Sequence, residues 1–147
     1  MSAPTQYRRA FLSDMDAVLA LLESVRLPTF DLRDIGELRM WVAESETHVC
    51  GVIALEPFGS EGLLRSLAVS TDYRNRGIGR TLVAHLEAGA REDGITRLVL
   101  LTESAQAFFR TLEYQPIDRG QVGDWMKRCA QFQSLCPASA SCMAKAL

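Results

Sequence analysis

The sequence holds little of what several classes of function require. Its 147 residues include two histidines and four cysteines. No two cysteines form a Cys-x-x-Cys pair, so the short ligand spacing of a structural zinc site is missing. Neither His48 nor His85 has a neighbour at metal-ligand spacing, and no metal is expected. No apolar run reaches the roughly 20 residues that a membrane span needs. Met1 to Gln6 contain no basic stretch leading into an apolar one, so no secretory signal is read there and a cytoplasmic location is expected. The cysteines are then expected to be reduced. An excess of one charge is also missing. Sixteen Lys and Arg face 18 Asp and Glu, a net charge of −2, which gives no general pull toward nucleic acid or an anionic membrane. Internal repeats, low-complexity tracts and linkers are absent too.

What is present suits one globular domain spanning 1–147. The chain is 48% hydrophobic and 23% charged, ordinary values for a protein that buries one core. Tyr7 to Ala10 reads as a short strand. Ser13 stands where an N-cap would, and Val18, Leu21, Leu22 and Val25 recur at helical spacing, so Asp14 to Val25 is a predicted helix that Pro28 ends. Met40 to Ala43 and His48 to Leu55 read as strands joined by the polar turn Glu44 to Thr47. Pro57 and Gly59 to Gly62 read as the next turn, and Leu63 to Val69 as a central strand. Ile78, Leu82, Leu86 and Ala90 predict a helix from Gly77 to about Asp93, stopped by Gly94. Leu98 to Leu101 is a short apolar strand, and Ser104 to Leu112 a helix. Tyr114 to Ile117, Val122 to Cys129 and Cys142 to Ala146 read as a strand, a short helix and a final strand. The fold class is α/β, with a sheet of mixed direction.

The strongest chemical signal lies between Val69 and Thr81. A strand ends, a polar turn follows, and Arg74-Asn75-Arg76-Gly77-Ile78-Gly79 leads into a helix. The first N–H groups of a helix have no carbonyl a turn before them and attract anions. Glycine at 77 and 79 lets a phosphate approach that backbone. Arg74, Arg76 and Arg80 place three cations within seven residues. The nucleotide P-loop pattern is absent, and the dinucleotide fingerprint fails at Leu82, where it needs a third glycine. The competing reading is a glycine turn with solvated arginines.

The stretch Leu67 to Arg80 resembles the acetyl-CoA motif of the GNAT N-acetyltransferases, Arg/Gln-x-x-Gly-x-Gly/Ala after a strand written Leu-x-Val. Ala107-Phe108-Phe109-Arg110-Thr111-Leu112-Glu113-Tyr114 resembles that family's second landmark, Phe-Tyr-x-x-Leu-Gly-Phe. The resemblance covers about residues 5 to 145. It implies a GNAT-like mixed, mostly antiparallel sheet flanked by helices, and acetyl transfer to a small-molecule amine with acetyl-CoA as cosubstrate. It also implies that the pyrophosphate rests on Arg74, Asn75, Arg76, Gly77, Ile78, Gly79, Arg80 and Thr81. The pantetheine arm would pair with Leu67, Ala68 and Val69 like an added strand. A backbone N–H of that strand would polarise the thioester carbonyl.

The departures from the pattern matter as much. Phe109 stands where many relatives place a tyrosine that protonates the departing thiolate. Glu113 replaces the usual glycine, and Thr102 stands near the place of a family asparagine. No carboxylate lies within the central strand to act as a base. Glu61 and Glu103 are near enough in sequence to be candidates or plain solvated carboxylates, so no catalytic acid or base is assigned. Arg65 and Ser66 interrupt the apolar strand and point to opposite faces. One of them faces a substrate cleft, where an arginine would favour an anionic acceptor, or Arg65 sits at a sheet edge or pairs with Glu61. His85 is expected at the boundary of the core, and His48 at the opening of a strand.

Gln131 to Met143, with Leu64 to Val69 and Ala107 to Phe109, resembles an arsenic-resistance-associated subgroup of the family. Trivalent arsenic is soft and prefers thiolates, so Cys129, Cys136 and Cys142 can be read as converging on it, or as small residues packing the chain's end. Two functions follow: an N-acetyltransferase for a small-molecule amine, or a module that binds acyl-CoA or senses a metalloid without turnover. Homodimers are common among soluble proteins, and a homodimer is carried as an expectation.

Overall fold

A computed structural model describes residues 4–27, 38–124 and 140–147. Among these, seven strands form one sheet in the order β1-β2-β3-β4-β5-β7-β6. They are β1 (Gln6–Arg9), β2 (Arg39–Ser45), β3 (His48–Phe58), β4 (Glu61–Val69), β5 (Arg97–Thr102), β6 (Gln115–Pro116) and β7 (Ser141–Ala146). The helices are α1 (Met15–Ser24), α2 (Ile78–Glu92) and α3 (Gln106–Thr111). Every strand pair is antiparallel except β4 with β5, which α2 connects as a parallel unit. The expected mixed, mostly antiparallel sheet flanked by helices is what forms, with β4 at its centre.

Alternation along the strands explains the two layers. Met40 and Val42 on β2, with Val52 and Ala54 on β3, pack against Val18, Leu21 and Leu22 of α1. Their neighbours Trp41, Ala43, Ile53 and Leu55 pack instead with Ile78, Leu82, Leu86 and Ala90 of α2. Period two in the strands thus feeds both faces of the sheet, and period 3.6 gives each helix one apolar stripe.

Several boundaries move from where the sequence puts them. Ser13 does not cap α1. It lies in a 3-10 turn, Leu12–Asp14, and Asp14 is the N-cap residue. The Asp14 carboxylate instead accepts the Phe11 N–H at 2.6 Å and pairs with Arg8. The β2–β3 turn shrinks to Glu46 and Thr47, both left-handed (φ 51° and 69°), the two-residue geometry that matches strand twist. Pro57 does not end its strand. It lies in β3 opposite Gly62, beyond Leu55, the last β3 residue with a β2 partner. The predicted helix Val122 to Cys129 falls largely outside the described residues.

Candidate active site at a split between two strands

β4 and β5 pair only at Glu61 with Arg97, Gly62 with Leu98 and Leu63 with Val99. Beyond Leu63 the two strands have no paired residues, and β4 presents an open edge on that side. A bulge lies within the same stretch. Val52 faces Ala68 and Ala54 faces Arg65, so three steps on β4 match two on β3. Ser66 carries the extra step with φ 58°. Bulges re-aim side chains and backbone groups at functional sites.

A cavity of about 320 Å³ fills the split. Its lining includes Arg65, Ser66 and Leu67 from β4, Thr102 at the end of β5, Glu103 and Ser104 beyond it, Phe109 from α3, and Arg26 after α1. The sequence reading placed Arg65 and Ser66 here but missed Arg26. Only its position, between the helical run and Pro28, hinted at it.

Arg65 lies on that open edge of β4 and pairs with Glu56. It is 4% exposed, and its Nη1 donates to Glu56 Oε1 at 3.1 Å. Glu61 is taken elsewhere. It accepts the Arg97 Nε–H at 2.7 Å across the paired end of β4 and β5, away from the split. Glu103 is exposed on the cavity lining.

At the far end of β4 the chain turns into the cradle. Asn75 and Gly77 are both left-handed (φ 63° and 79°), a backbone conformation that also occurs in turns whose N–H groups bind anions. The Thr81 N–H bonds the Gly77 carbonyl at 3.1 Å. It is the first amide to bond back to Gly77, which leaves the N–H groups of Ile78, Gly79 and Arg80 at the free helix start. Nothing lies within 4 Å of where a Gly77 Cβ would be. A side chain at this position would enter open space. At Gly79 the Phe108 ring comes within 3.5 Å of the same point, so α3 lies against the helix start.

The three cations divide their roles. The Arg74 Nε–H reaches the Val69 carbonyl at 3.4 Å. Arg76 lies over the Tyr73 ring, 5.0 Å from its centroid. Arg80 donates to Thr111 Oγ1 at 3.3 Å and ties α2 to α3.

The departures from the family pattern have physical consequences. Phe109 is 4% exposed and lines the cavity without a proton to give. A phenol does stand next to it: Tyr114, edge-on to Phe109 at 5.5 Å. Tyr114 is fully buried and donates to Glu87 Oε2 at 2.9 Å. Burial and the Glu87 carboxylate push its ionisation well above the ordinary tyrosine value. Glu113 adopts φ 74° just past α3, where glycine is usual.

His85 is exposed on α2 and stacks at 5.3 Å on Tyr7, which itself packs against the core, so it stands at the core's boundary. His48 is exposed at the start of β3. Cys142 is buried on β7 opposite Leu101, and burial pushes its thiol up. Cys129 and Cys136 lie outside the described residues. Among the described residues no group of three or more His, Cys, Asp or Glu can hold a metal ion. No described helix is long and apolar enough to cross a membrane.

A mixed sheet split between its two parallel strands, with a glycine-led helix start just past one of them, is the architecture of the GNAT fold. The chain belongs to the GNAT acetyltransferase family: the Acetyltransferase (GNAT) domain model matches residues 36–116. An uncharacterised N-acetyltransferase of Chlorobaculum tepidum is 31% identical over 125 residues, covering 80% of each chain. The amino-acid acetyltransferase of Edwardsiella ictaluri is 29% identical over 80% of this chain, which spans only 29% of that protein's length. Among solved structures, Rv2747 of Mycobacterium tuberculosis in complex with CoA has a TM-score of 0.82 and 26% identity, over 97% of this chain and 99% of that one. The N-acetylglutamate synthase of Neisseria gonorrhoeae, with coenzyme A and N-acetyl-glutamate, has a TM-score of 0.84 over 100% of this chain and 36% of that one. At 21% identity this last likeness shows the fold alone.

Proposed function

We propose that the chain acetylates the amine of a small molecule, and that amino acids are the acceptor class. The observation that carries this reading is the split. β4 offers an open backbone edge beyond Leu63, the Ser66 bulge sits on that edge, and a cavity of about 320 Å³ opens beside it. That size suits a small molecule. Several relatives are amino-acid acetyltransferases, which suggests the acceptor class, and arginine at the cavity suits a carboxylate.

In this reading Leu67, Ala68 and Val69 hold the pantetheine arm along the open edge. The segment Arg74, Asn75, Arg76, Gly77, Ile78, Gly79, Arg80 and Thr81 holds the pyrophosphate, with the free N–H groups of Ile78, Gly79 and Arg80 turned toward it. Arg65 and Ser66 border the acceptor. When bound, acetyl-CoA supplies an activated acetyl thioester. The protein's part is to fix that carbonyl against a β4 N–H and to hold the neutral amine in line with it, which lowers the entropic cost of the encounter. The likeness of Leu64 to Val69 and Ala107 to Phe109 to the arsenic-associated subgroup adds arsenic-containing amino acids to the acceptors worth testing.

The experiment is a panel of amino acids, arsenic-containing amino acids, simple amines and peptides, read by release of free CoA thiol. Acceptor-dependent release with an amino acid supports the reading. Release only with peptides, or none beside intact acetyl-CoA binding, rejects it.

A further inference from the structure

All three helices end in the same hydrogen-bonded device, and two of them end in it without glycine. After α2, the Gly94 N–H bonds the Arg91 carbonyl at 3.1 Å and the Ile95 N–H bonds Ala90 at 2.9 Å, with Gly94 at φ 79°. After α1, the Arg26 N–H bonds Glu23 at 3.0 Å and the Leu27 N–H bonds Leu22 at 2.9 Å, with Arg26 at φ 61°. After α3, Glu113 and Tyr114 bond Arg110 and Phe109, both at 3.0 Å, with Glu113 at φ 74°. The device needs a left-handed residue, and glycine fills it at least cost. An L side chain there is strained.

Arg26 carries that strain at the edge of the split. Its side chain is exposed and lines the same cavity as Arg65, Ser66 and Leu67. Among the described residues its guanidinium makes no ion pair. The cavity's other arginine, Arg65, is already held by Glu56. Non-glycine residues kept in a left-handed conformation cluster at ligand sites, where the strained side chain is needed in place.

We infer that Arg26 is an acceptor-binding residue whose guanidinium takes a carboxylate of the molecule being acetylated. This rests on the amine-acetylation reading above. A guanidinium is charged at every working pH and can bind a carboxylate through two parallel hydrogen bonds. The strained backbone fixes where it starts, so less freedom is lost on binding.

The test compares wild type, Arg26→Gly and Arg26→Lys. Each is assayed with an amino acid and with the amine that lacks its carboxylate. Melting temperature and acetyl-CoA affinity by calorimetry are measured alongside. Arg26→Gly removes the strain, so it should melt higher, on the order of 2–4 °C. It should also raise KM for the amino acid about tenfold or more, the loss expected for a charge-assisted pair. KM for the carboxylate-free amine and the affinity for acetyl-CoA should not change. Arg26→Lys keeps the charge and should recover part of the amino-acid KM. An unchanged amino-acid KM in a folded Arg26→Gly that binds acetyl-CoA overturns the role of Arg26 alone. A wild type that binds acetyl-CoA and acetylates neither partner overturns the amine-acetylation reading, and Arg26 with it.

Discussion

Tyr114 donates its hydroxyl hydrogen to Glu87 at 2.9 Å, and Lys145 Nζ holds both oxygens of that carboxylate at 3.1 Å. The trio joins the segment after α3 to α2 and β7, and Glu87 is one of the few buried charged residues described. A buried carboxylate is tolerated when it is paired and hydrogen-bonded. The trio also fixes the phenol nearest to Phe109 in a structural role.

Tyr114→Phe should therefore cost about 1 kcal/mol of stability, the usual value of one hydrogen bond, and should leave acetyl transfer close to wild type. Lys145→Met should cost more, about 3 kcal/mol, because it leaves the Glu87 charge buried with only a neutral partner. Urea denaturation and a CoA-release assay read both. Loss of turnover in a stable Tyr114→Phe that binds acetyl-CoA would move the phenol into the chemistry.

A second prediction concerns close packing between α2 and β2. A Cβ on Gly89 would lie 2.5 Å from Cζ2 of Trp41. Trp41 is itself 5% exposed and sits in the core between β2 and α2. Alanine would gain helix propensity, about 1 kcal/mol, but the ring must move, and overpacking costs about 1–3 kcal/mol. Gly89→Ala should lower the melting temperature by a few degrees. The double variant Gly89→Ala with Trp41→Phe should lose less than the two single effects combined, since the smaller ring relieves the clash. Additive losses would place the cost elsewhere.

These cases show which parts of the molecule could be read from the chain. The helix start at Gly77 was legible because its signals are local: the polar turn, the glycines and the first residues of the apolar stripe adjoin in sequence. The core stripe Ile78, Leu82, Leu86 and Ala90 was legible for the same reason. The split was not, because the divergence of β4 from β5 is a relation between strands some 35 residues apart. The Glu56 partner of Arg65 was not legible, because the register of the β3–β4 hairpin brings it there from the neighbouring strand. The boundary place of His85 was legible from its position one step off the stripe, but its stacking partner Tyr7 was not, because it comes from β1, far off in sequence. Arg26 needed the backbone angle and the cavity together.

A third prediction follows from Asp14. Two Arg8 hydrogen bonds, at 2.8 and 3.0 Å, hold its carboxyl below the ordinary carboxylate value. Burial pushes the other way and is outweighed, and the Phe11 N–H adds to the lowering. The folded value therefore lies below the unfolded one, which is about 3.9. The stabilisation is complete above the unfolded value and is lost as pH falls through the folded one. Asp14→Asn should be less stable than wild type at neutral pH, and the gap should close below about pH 4. Urea midpoints across the acid range measure it. A gap that stays constant would remove Asp14 from the acid response.

The last prediction separates the two jobs of Gly77. Its φ of 79° disfavours any L side chain, yet the space around its Cβ position is empty of protein atoms. Gly77→Ala should therefore pay mainly for conformation, about 1 kcal/mol of stability, and add only a methyl group to the concavity. Gly77→Glu pays the same conformational cost and also directs a negative charge at the N–H groups where the pyrophosphate is proposed to sit. Repulsion and lost contact should together weaken acetyl-CoA binding at least tenfold beyond the alanine variant, with a further loss in lower salt, where charges are screened less. Calorimetric titration of both variants at two ionic strengths decides the matter. If Gly77→Glu binds acetyl-CoA as the alanine variant does, the pyrophosphate lies elsewhere, and the proposed run from Leu67 to Thr81 has to be redrawn.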